Sequence, residues 1–443
     1  MAIALVFVAL FVLLFMGAPI AIALGLPVLV ALALGGDLPL VVIAQKLQDN
    51  ISAFPLMAVP FFILASDLMQ HGGVARRLIR LANSLVGHLP GGLAIAGIMA
   101  CAFFAAISGS SAATVAAIGS LMIPGMIEAG YDKRFAVGCM ACAGSLGILI
   151  PPSIPMVIYG YVTETSVGKL FIAGVIPGIF FALTLMFVTY VYARMKGMRG
   201  GTPATWPERW TAVKDAAWSL LLPVLIVVGI YGIPEMRLGP FRFSGTAAFT
   251  PTEAAAVSVL YAFLVGVFVH RELRWRDLPK VLGDSMRKIA MLMFLIANAI
   301  LFGFFLTNAL VPQQLSTWIN SMRLAPWQYL LAVNVLLFFA GDFMDAVPII
   351  LIFIPVLFPT AMALGIDPVH LGIVVTINME MGAITPPVGV NLYVASAVSG
   401  MPLYRVLRAA APWILVVVFV LLVVTYIPVI ATVLPKFMYG ALY

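Results

Sequence analysis

Two short segments combine a helix-breaking Pro-Pro pair with glycines and oxygen-bearing side chains inside an apolar run. The first is residues 144–155 (GSLGILIPPSIP), with Ser145 at the break, and the second is residues 379–391 (MEMGAITPPVGVN), with Thr385 at the break. Proline lacks an amide donor and clashes with the preceding turn, so an α-helix cannot continue undisturbed through either pair. Backbone carbonyl groups freed in this way inside a bilayer are tolerated only where protein or a water-filled cavity surrounds them. Each segment is therefore a candidate binding site.

Two other segments place polar residues between apolar arms that are each about 15 residues long. The first, residues 108–114 (SGSSAAT), carries serines, and the second, residues 340–346 (AGDFMDA), carries aspartates. Helical arms of that length rise about 22 Å, less than the roughly 30 Å of a hydrocarbon core, which predicts re-entrant hairpins with polar tips. Carboxylates inside a membrane are costly and usually functional, whereas serines often bond only to a preceding turn. The candidate cation ligands at the tips are Ser108, Ser110, Ser111, Asp342 and Asp345.

The four segments belong to two copies of one repeat. At an offset of 235 residues Pro151 falls on Pro386 and Ser110 falls on Asp345. Each copy is predicted to contain a hairpin, a broken helix and a plain span. These are residues 93–127, 135–161 and 170–194 in the first copy, and residues 328–361, 368–398 and 404–434 in the second.

Composition limits the class of protein that can carry this repeat. Of the 443 residues, 63% are hydrophobic and 9% are charged, with a mean hydropathy of +1.13. A soluble domain carries about 25% charged residues, and a membrane β-barrel alternates apolar and polar residues, so both are excluded. Apolar runs of bilayer-spanning length instead predict a polytopic helical membrane protein. The net charge of +7 is expected to come from cytoplasmic loops.

The distribution of basic residues predicts the orientation. Ten spans with the N-terminus outside leave six of the 24 Lys and Arg residues outside and place the other 18 in the cytoplasm, which fits the positive-inside rule. Lys288 is among the 18, and Asp67, near the end of its span, is expected to reach the interface. In this arrangement the second broken helix crosses in the direction opposite to the first, so the repeat is predicted to be inverted.

Inverted repeats with discontinuous helices are typical of secondary transporters, in which helix breaks near the midplane bind substrate and ions. Helix N-termini favour an anion, and free carbonyl groups favour a small cation such as Na⁺. No nucleotide-binding or hydrolase motif occurs in a plausible context, so an enzyme is not predicted and an ion gradient should drive transport. Two alternatives stay open: a membrane anchoring or assembly subunit without transport, and a self-sufficient ion-coupled carboxylate exporter.

Several motifs resemble those of the large membrane subunit of tripartite ATP-independent periplasmic (TRAP) transporters, most closely the C4-dicarboxylate branch. The resemblance covers essentially the whole chain, apart from a longer external loop at residues 234–250. The motifs are residues 61–65 (FFILA), 73–77 (GVARR), 108–115 (SGSSAATV), 147–153 (GILIPPS), 250–256 (TPTEAAA), 365–370 (GIDPVH) and 385–396 (TPPVGVNLYVAS).

The resemblance implies Na⁺-coupled uptake of a small organic acid across a bacterial inner membrane by an elevator motion. A periplasmic solute-binding protein would deliver the acid, and a small four-helix membrane subunit, expected as a separate chain, would brace the scaffold. The implied organisation comprises scaffold spans and an amphipathic arm at 1–87, the first transport repeat at 88–195, central scaffold spans and a second arm at 196–327, and the second transport repeat at 328–435.

The resemblance also implies two Na⁺ sites and a substrate site between them. The first Na⁺ site joins one tip to one break through Ser108, Ser110, Ser111, Gly144, Gly147 and Pro151. The second joins the other tip and break through Gly341, Asp342, Asp345, Met379, Gly382 and Thr385. The expected substrate-binding residues are Ser111, Ser145, Ser153, Glu380, Pro387 and Asn391.

Overall fold

The computed structural model describes residues 2–35, 40–238, 241–245 and 249–440, and most of them are helical. The helices are α1 Ala2–Phe15, α2 Ile20–Gly35, α3 Leu40–Ile51, α4 Ala58–His71, α5 Val74–Val86, α6 Gly92–Ser108, α7 Ser111–Thr114, α8 Ser120–Glu128, α9 Lys133–Ala143, α10 Ile154–Thr163, α11 Val167–Met195, α12 Trp206–Tyr231, α13 Pro251–Leu264, α14 Leu278–Asn308, α15 Val311–Ser321, α16 Pro326–Phe343, α17 Ala346–Ala363, α18 Pro368–Ala383, α19 Val390–Ser399, α20 Leu403–Tyr426 and α21 Val429–Tyr439.

Within the described ranges, eight helical stretches are long and apolar enough to cross a bilayer. Six of them correspond to predicted spans, and the other two are the second arms of the predicted hairpins, residues 111–128 and 346–363. Those arms contain 18 residues each, longer than the roughly 15 expected, so the argument that they are too short to cross was wrong for them. The two N-terminal helices α1 and α2 are shorter, with 14 and 16 residues.

The predicted repeat is present in the bounds of the helices. Adding 235 to the last residue of α6, Ser108, gives Phe343, the last residue of α16. The same offset carries the start of the second arm from Ser111 to Ala346, and the start of the broken helix from Lys133 to Pro368. Both copies therefore fold alike, and the helical fold class with two hairpins and two broken helices is confirmed.

Local sequence explains where the hairpins turn and where the helices break. The first tip turns at Gly109, whose φ of +62° is a left-handed conformation that glycine adopts without steric cost, and Ser110 then caps the second arm. The first broken helix tightens over residues 144–148 before its Pro-Pro pair, and resumes behind the N-cap Ser153. The second ends at Ala383 and resumes after its own Pro-Pro pair. The four irregular segments come together at the centre of the molecule.

The two copies interlock instead of standing side by side. Helix α9 of the first copy packs on α20 of the second, and α10 packs on α17. The buried Tyr159 hydroxyl of α10 donates a 2.8 Å hydrogen bond to the carbonyl of Pro368, the first residue of α18. The Trp413 indole of α20 donates a 3.1 Å bond to the Thr189 hydroxyl of α11. These hydrogen bonds between the two copies join them into one packed unit.

The remaining helices form a frame around that body. Helix α4 packs against α13 and α14, and α14 packs against α2. The amphipathic α5 is tied to this frame by two ion pairs, from Arg77 to Glu272 at 2.7 Å and from Arg80 to Asp215 at 2.8 Å. We use the word scaffold below for α1–α5 and α12–α15.

A short β-hairpin lies in the loop at residues 234–250, which was predicted to be external. Strand β1, Ile233–Leu238, pairs antiparallel with strand β2, Phe241–Gly245. Residues 239–240 and 246–248 of this loop lie outside the described residues, as do residues 1, 36–39 and 441–443. The hairpin follows α12 directly after Gly232, whose φ of +74° is accessible to glycine without steric cost.

Candidate functional site

Both tips and both breaks contribute to one central cavity of about 470 Å³. Helices α4 and α14 of the scaffold close its other side. Among the residues predicted from sequence, those that line the cavity are Ser108, Ser110, Ser111, Asp345, Met379 and Glu380. The cavity therefore lies between the two copies and the scaffold, and oxygen-bearing side chains concentrate on the repeat side.

The first break packs directly behind the first tip. A Cβ atom built on Gly147 would lie 2.5 Å from the Ser110 carbonyl oxygen and 2.7 Å from the Thr114 hydroxyl. A Cβ atom on Gly144 would lie 3.2 Å from the Ser111 carbonyl oxygen. Only residues without a side chain allow this approach, so the structure brings together the tip and break residues that were assigned to the first Na⁺ site.

Hydroxyl groups at this tip form a compact oxygen cluster. The Ser108 and Thr114 hydroxyls lie 2.9 Å apart, and Thr114 donates a 2.8 Å hydrogen bond to the Ser110 carbonyl oxygen. Both side chains are buried. Thr114 was not among the predicted ligands, although it closes the same SGSSAAT motif. Three oxygen atoms in such proximity offer the hard ligands that alkali and alkaline-earth cations prefer.

The second tip and break are held together in a comparable way. A Cβ atom on Gly382 would lie 2.6 Å from backbone atoms of Gly341, and the backbone amide of Val388 donates a 3.0 Å hydrogen bond to the Asp342 carbonyl oxygen. The Asp342 carboxylate interacts with the Thr385 side chain, while its Oδ1 has no hydrogen-bond partner among the described residues. Asp345, at the N-cap of α17, is exposed to the cavity.

This close approach makes a sharp prediction for Gly382→Ala. The added methyl group would collide with the Gly341 backbone, which is not a flexible side-chain end, so the tip must separate from the break. We expect the variant to lose roughly 1 to 3 kcal/mol of stability and most of its transport activity. Gly125→Ala is the matched control, because a Cβ there meets nothing within 4 Å. Thermal unfolding and uptake measured on both purified variants check this, and normal uptake by Gly382→Ala would contradict it.

Glu380 lies where the two copies meet. Its side chain is 1% exposed and interacts with the side chains of Ser145, Ser111 and Asn391, which come from both breaks and from the first tip. Neither oxygen of Glu380 forms a well-directed hydrogen bond within the described residues, and the same holds for the Ser145 hydroxyl and both polar atoms of the Asn391 amide. Buried polar atoms normally have partners. This cluster therefore has unused donors and acceptors for a small polar ligand.

The structure does not bring every predicted residue to the cavity. Ser153 is fully buried, and its hydroxyl accepts a 3.4 Å bond from the Met156 amide as the cap of α10. Pro387 is exposed and does not line the cavity, and its carbonyl oxygen accepts a 3.4 Å bond from the Tyr393 hydroxyl. Pro151 is buried within the first break and is not part of the lining. These three residues shape the breaks instead of facing the cavity.

The sequence analysis missed the scaffold side of the site. Asp67 does not extend to an interface: its side chain is 7% exposed and its carboxylate lies 2.8 Å from the Lys288 ammonium group, so that expectation was wrong. Both residues line the cavity, together with Ser66 and Gln70 of α4. An Asp within an apolar span was the signal for this pair, but its partner lies 221 residues away in the chain and has no local motif.

Comparison with known proteins agrees with this geometry. A family model described as "Tripartite ATP-independent periplasmic transporter, DctM component" matches residues 7–430. The C4-dicarboxylate TRAP transporter large permease protein DctM of Pseudomonas aeruginosa is 50% identical over 89% of this chain and 90% of that protein. The isethionate TRAP transporter permease protein DctMQ of Oleidesulfovibrio alaskensis is 41% identical over 94% of this chain, which spans 64% of that longer protein.

A solved structure shares the architecture at much lower sequence identity. The YdaH transporter of Alcanivorax borkumensis superposes with a TM-score of 0.61, covers 87% of this chain and 88% of its own, and is 15% identical. That likeness supports the fold alone. The family match over nearly the whole chain, the relatives and the paired tips and breaks lead to one conclusion: this chain belongs to the DctM family, the large permeases of tripartite ATP-independent periplasmic transporters.

Proposed function

We propose that the protein carries out Na⁺-coupled uptake of a small organic acid, of the C4-dicarboxylate class or a similar carboxylate, across a bacterial inner membrane. The observation that carries this proposal is the convergence of two tips and two breaks on one central cavity, with Ser111 and Glu380 of the Glu380 cluster in its lining. The Pseudomonas aeruginosa relative, 90% of which aligns with this chain, is a C4-dicarboxylate permease, and this supports the substrate class.

Each tip and break together form one Na⁺ site in this proposal. Ser110 and Ser111 supply backbone carbonyl oxygens beside Gly147 and Gly144 in the first site, and Ser108 and Thr114 add hydroxyls. In the second site, the Gly341–Gly382 contact brings the Asp342 and Thr385 side chains together, and Asp345 adds a carboxylate open to the cavity. Because these ligands lie on the same four segments that surround the cavity, ion binding would shape the substrate site.

The substrate site in this proposal is the Glu380 cluster. The Asn391 amide and the hydroxyls of Ser111 and Ser145 can donate hydrogen bonds to a carboxylate of the acid. Glu380 lies beside these donors, and its two oxygen atoms can accept from a hydroxyl or a protonated carboxyl of the ligand. Na⁺ on either side would offset the repulsion between the ligand and Glu380.

The same arrangement suggests how access alternates. In the predicted orientation, Asp67 and Lys288 lie near the cytoplasmic ends of their membrane segments, so a cavity lined by both opens toward the cytoplasm. We propose that the interlocked body of residues 88–195 and 328–435 moves as a unit against the scaffold, carrying tips and breaks toward the periplasm and back. The repeat is inverted in this proposal, which gives the body equivalent surfaces for the two end states.

A periplasmic solute-binding protein and a small four-helix membrane subunit are the proposed partners. The family description names a tripartite, periplasmic system. The DctMQ relative is a longer chain, of which this protein spans 64%. In this proposal the additional residues of that relative take the place of the small membrane subunit, which for this chain is a separate protein.

Sodium coupling predicts a specific result in sealed proteoliposomes. With the small subunit incorporated and the binding protein outside, an inward Na⁺ gradient should drive accumulation of radiolabelled succinate, because the proposed tip and break ligands suit Na⁺. A K⁺ gradient of the same size is the control and should give none. Uptake that depends on internal ATP and not on Na⁺ would contradict the proposal.

Leaving out one component at a time separates the proposal from its alternatives. An assembly subunit without transport predicts no accumulation in any combination. A self-sufficient exporter predicts transport without the binding protein and in the outward direction. Na⁺-driven accumulation that requires the binding protein supports only the uptake system.

A further inference from the structure

The scaffold side of the cavity holds an ion pair that the proposed Na⁺ and substrate sites do not use. Asp67 of α4 places Oδ1 2.8 Å from the Nζ atom of Lys288 on α14. Its Oδ2 accepts a 2.7 Å hydrogen bond from the Ser285 hydroxyl, one turn earlier on the same helix. Both carboxylate oxygens are therefore engaged, and Asp67 fixes the position of Lys288 on the cavity wall.

Lys288 differs from its partner in exposure. The Lys288 side chain is 58% exposed while that of Asp67 is 7% exposed, and both residues line the cavity, so the cation is the more accessible member of the pair. An ammonium group has three N–H donors, and the bond to Asp67 uses one. Among the described residues the ammonium group makes no second side-chain hydrogen bond, so two donors remain for a ligand.

The charges that line the cavity indicate that these donors would bind an anion. Among the described residues that line it, the carboxylates are Asp67, Asp345 and Glu380, and Lys288 is the only cationic side chain. An acid that enters such a cavity is repelled unless positive charge is nearby. The proposed Na⁺ sites lie on the moving copies, whereas Lys288 belongs to the scaffold. It is the fixed positive charge that a departing anion meets.

We propose that Lys288 binds a carboxylate group of the transported acid when the cavity opens to the cytoplasm, and that Asp67 is a positioning residue that competes with the acid for the ammonium group. This inference rests on the proposed function. Competition keeps the contact weak, so the acid is drawn off the Glu380 cluster and then released. A pair that only held α4 against α14 would have no need to present its cation to the cavity.

Two substitutions should change ligand affinity in opposite directions. Lys288→Gln removes the cation and should raise the Kd for radiolabelled succinate about ten-fold. Asp67→Asn keeps an acceptor for Ser285 but removes the competing charge, so it should lower the Kd several-fold and slow succinate exchange. Equilibrium binding to the purified permease with its small subunit, in NaCl, measures the Kd of both variants, and release of bound radiolabel into unlabelled succinate measures exchange. Lys280→Gln, an exposed lysine of the same helix outside the cavity, is the control and should bind as the wild type does.

The opposite signs separate this role from a structural one. If the pair only stabilises the scaffold, both variants unfold at lower temperature and any change in Kd has the same sign, which overturns the inference. If Lys288→Gln leaves Asp67 buried without a counter-charge and fails to fold, the double variant Asp67→Asn/Lys288→Gln removes both charges. That protein should recover thermal stability and still bind succinate weakly.

The wild-type result distinguishes failure of this inference from failure of the proposed function. A wild-type complex that binds none of succinate, fumarate and malate in NaCl overturns the proposed substrate class and this inference with it. Wild-type binding with an unchanged Kd in the double variant overturns only the role of Lys288.

Discussion

Replacing Pro386 and Pro387 together by alanine should reduce Na⁺-driven uptake at least ten-fold while leaving the protein folded. The prolines end α18 at Ala383, so the carbonyl groups of its last turn lack the regular amide partners of a continuous helix, and only weaker or side-chain contacts replace them. Alanine favours continuation of a helix by up to about 3 kcal/mol per replaced proline. The freed carbonyl groups would then be used in helical hydrogen bonds, and the second Na⁺ site would lose its backbone ligands.

Thermal unfolding and uptake of the same purified variant decide the matter. Pro223→Ala is the control, because that proline lies inside the continuous helix α12 of the scaffold and away from the cavity. A well-folded Pro386→Ala/Pro387→Ala protein with near wild-type uptake would show that the break is not part of the ion site. If thermal unfolding shows that the variant is misfolded, the break is required for packing, and the proposed ion-binding role is contradicted.

Asp345→Ala should raise the Na⁺ concentration for half-maximal uptake about ten-fold or more, and Ser110→Ala should raise it about three-fold. The carboxylate of Asp345 adds direct Coulomb attraction for a cation in a poorly screened cavity, whereas Ser110 contributes its carbonyl oxygen, which alanine retains. The loss at Ser110 comes from the cap, since its hydroxyl accepts a 3.4 Å bond from the Ala113 amide.

Uptake as a function of Na⁺ concentration, at constant ionic strength, measures both shifts. Asp345→Asn keeps the size of the side chain and should behave like Asp345→Ala if charge is the cause. Asp284→Ala removes an exposed carboxylate that pairs with Arg287 on the scaffold, and should leave the Na⁺ dependence unchanged. Identical Na⁺ dependence in Asp345→Ala and the wild type would assign Asp345 to structure alone.

The repeat was the part of the fold that sequence could predict most closely. Two copies of the same local signals, a Pro-Pro pair and a polar tip, fix the same helix ends, so the offset of 235 residues carries Ser108 onto Phe343 in the structure as well. Arm length was predicted less well, because the second arms continue without a capping signal through prolines at Pro124 and Pro355.

In the candidate site, too, residues in local motifs could be predicted, and contacts that depend on helix packing could not. Residues of the tips and breaks could be named because each lies in a motif whose chemistry is local. The pairing of Asp67 with Lys288 could not, because it depends on how α4 packs against α14. Likewise Ser153 and Pro387 carry suitable atoms in suitable motifs, and only the packed structure shows that neither lines the cavity.

The interlocking of the two copies has a consequence for how the protein is made. The Tyr159 hydroxyl needs the Pro368 carbonyl, and the Thr189 hydroxyl pairs with the Trp413 indole, yet each of these partners is synthesised more than 200 residues later. At roughly 5 to 20 residues per second, the ribosome takes on the order of 10 to 50 s to reach the second copy. During that interval the first hairpin and broken helix lie in the bilayer with polar groups whose hydrogen-bond partners have not yet been made. A chain that stops near residue 250 should therefore be a substrate for membrane quality-control proteases.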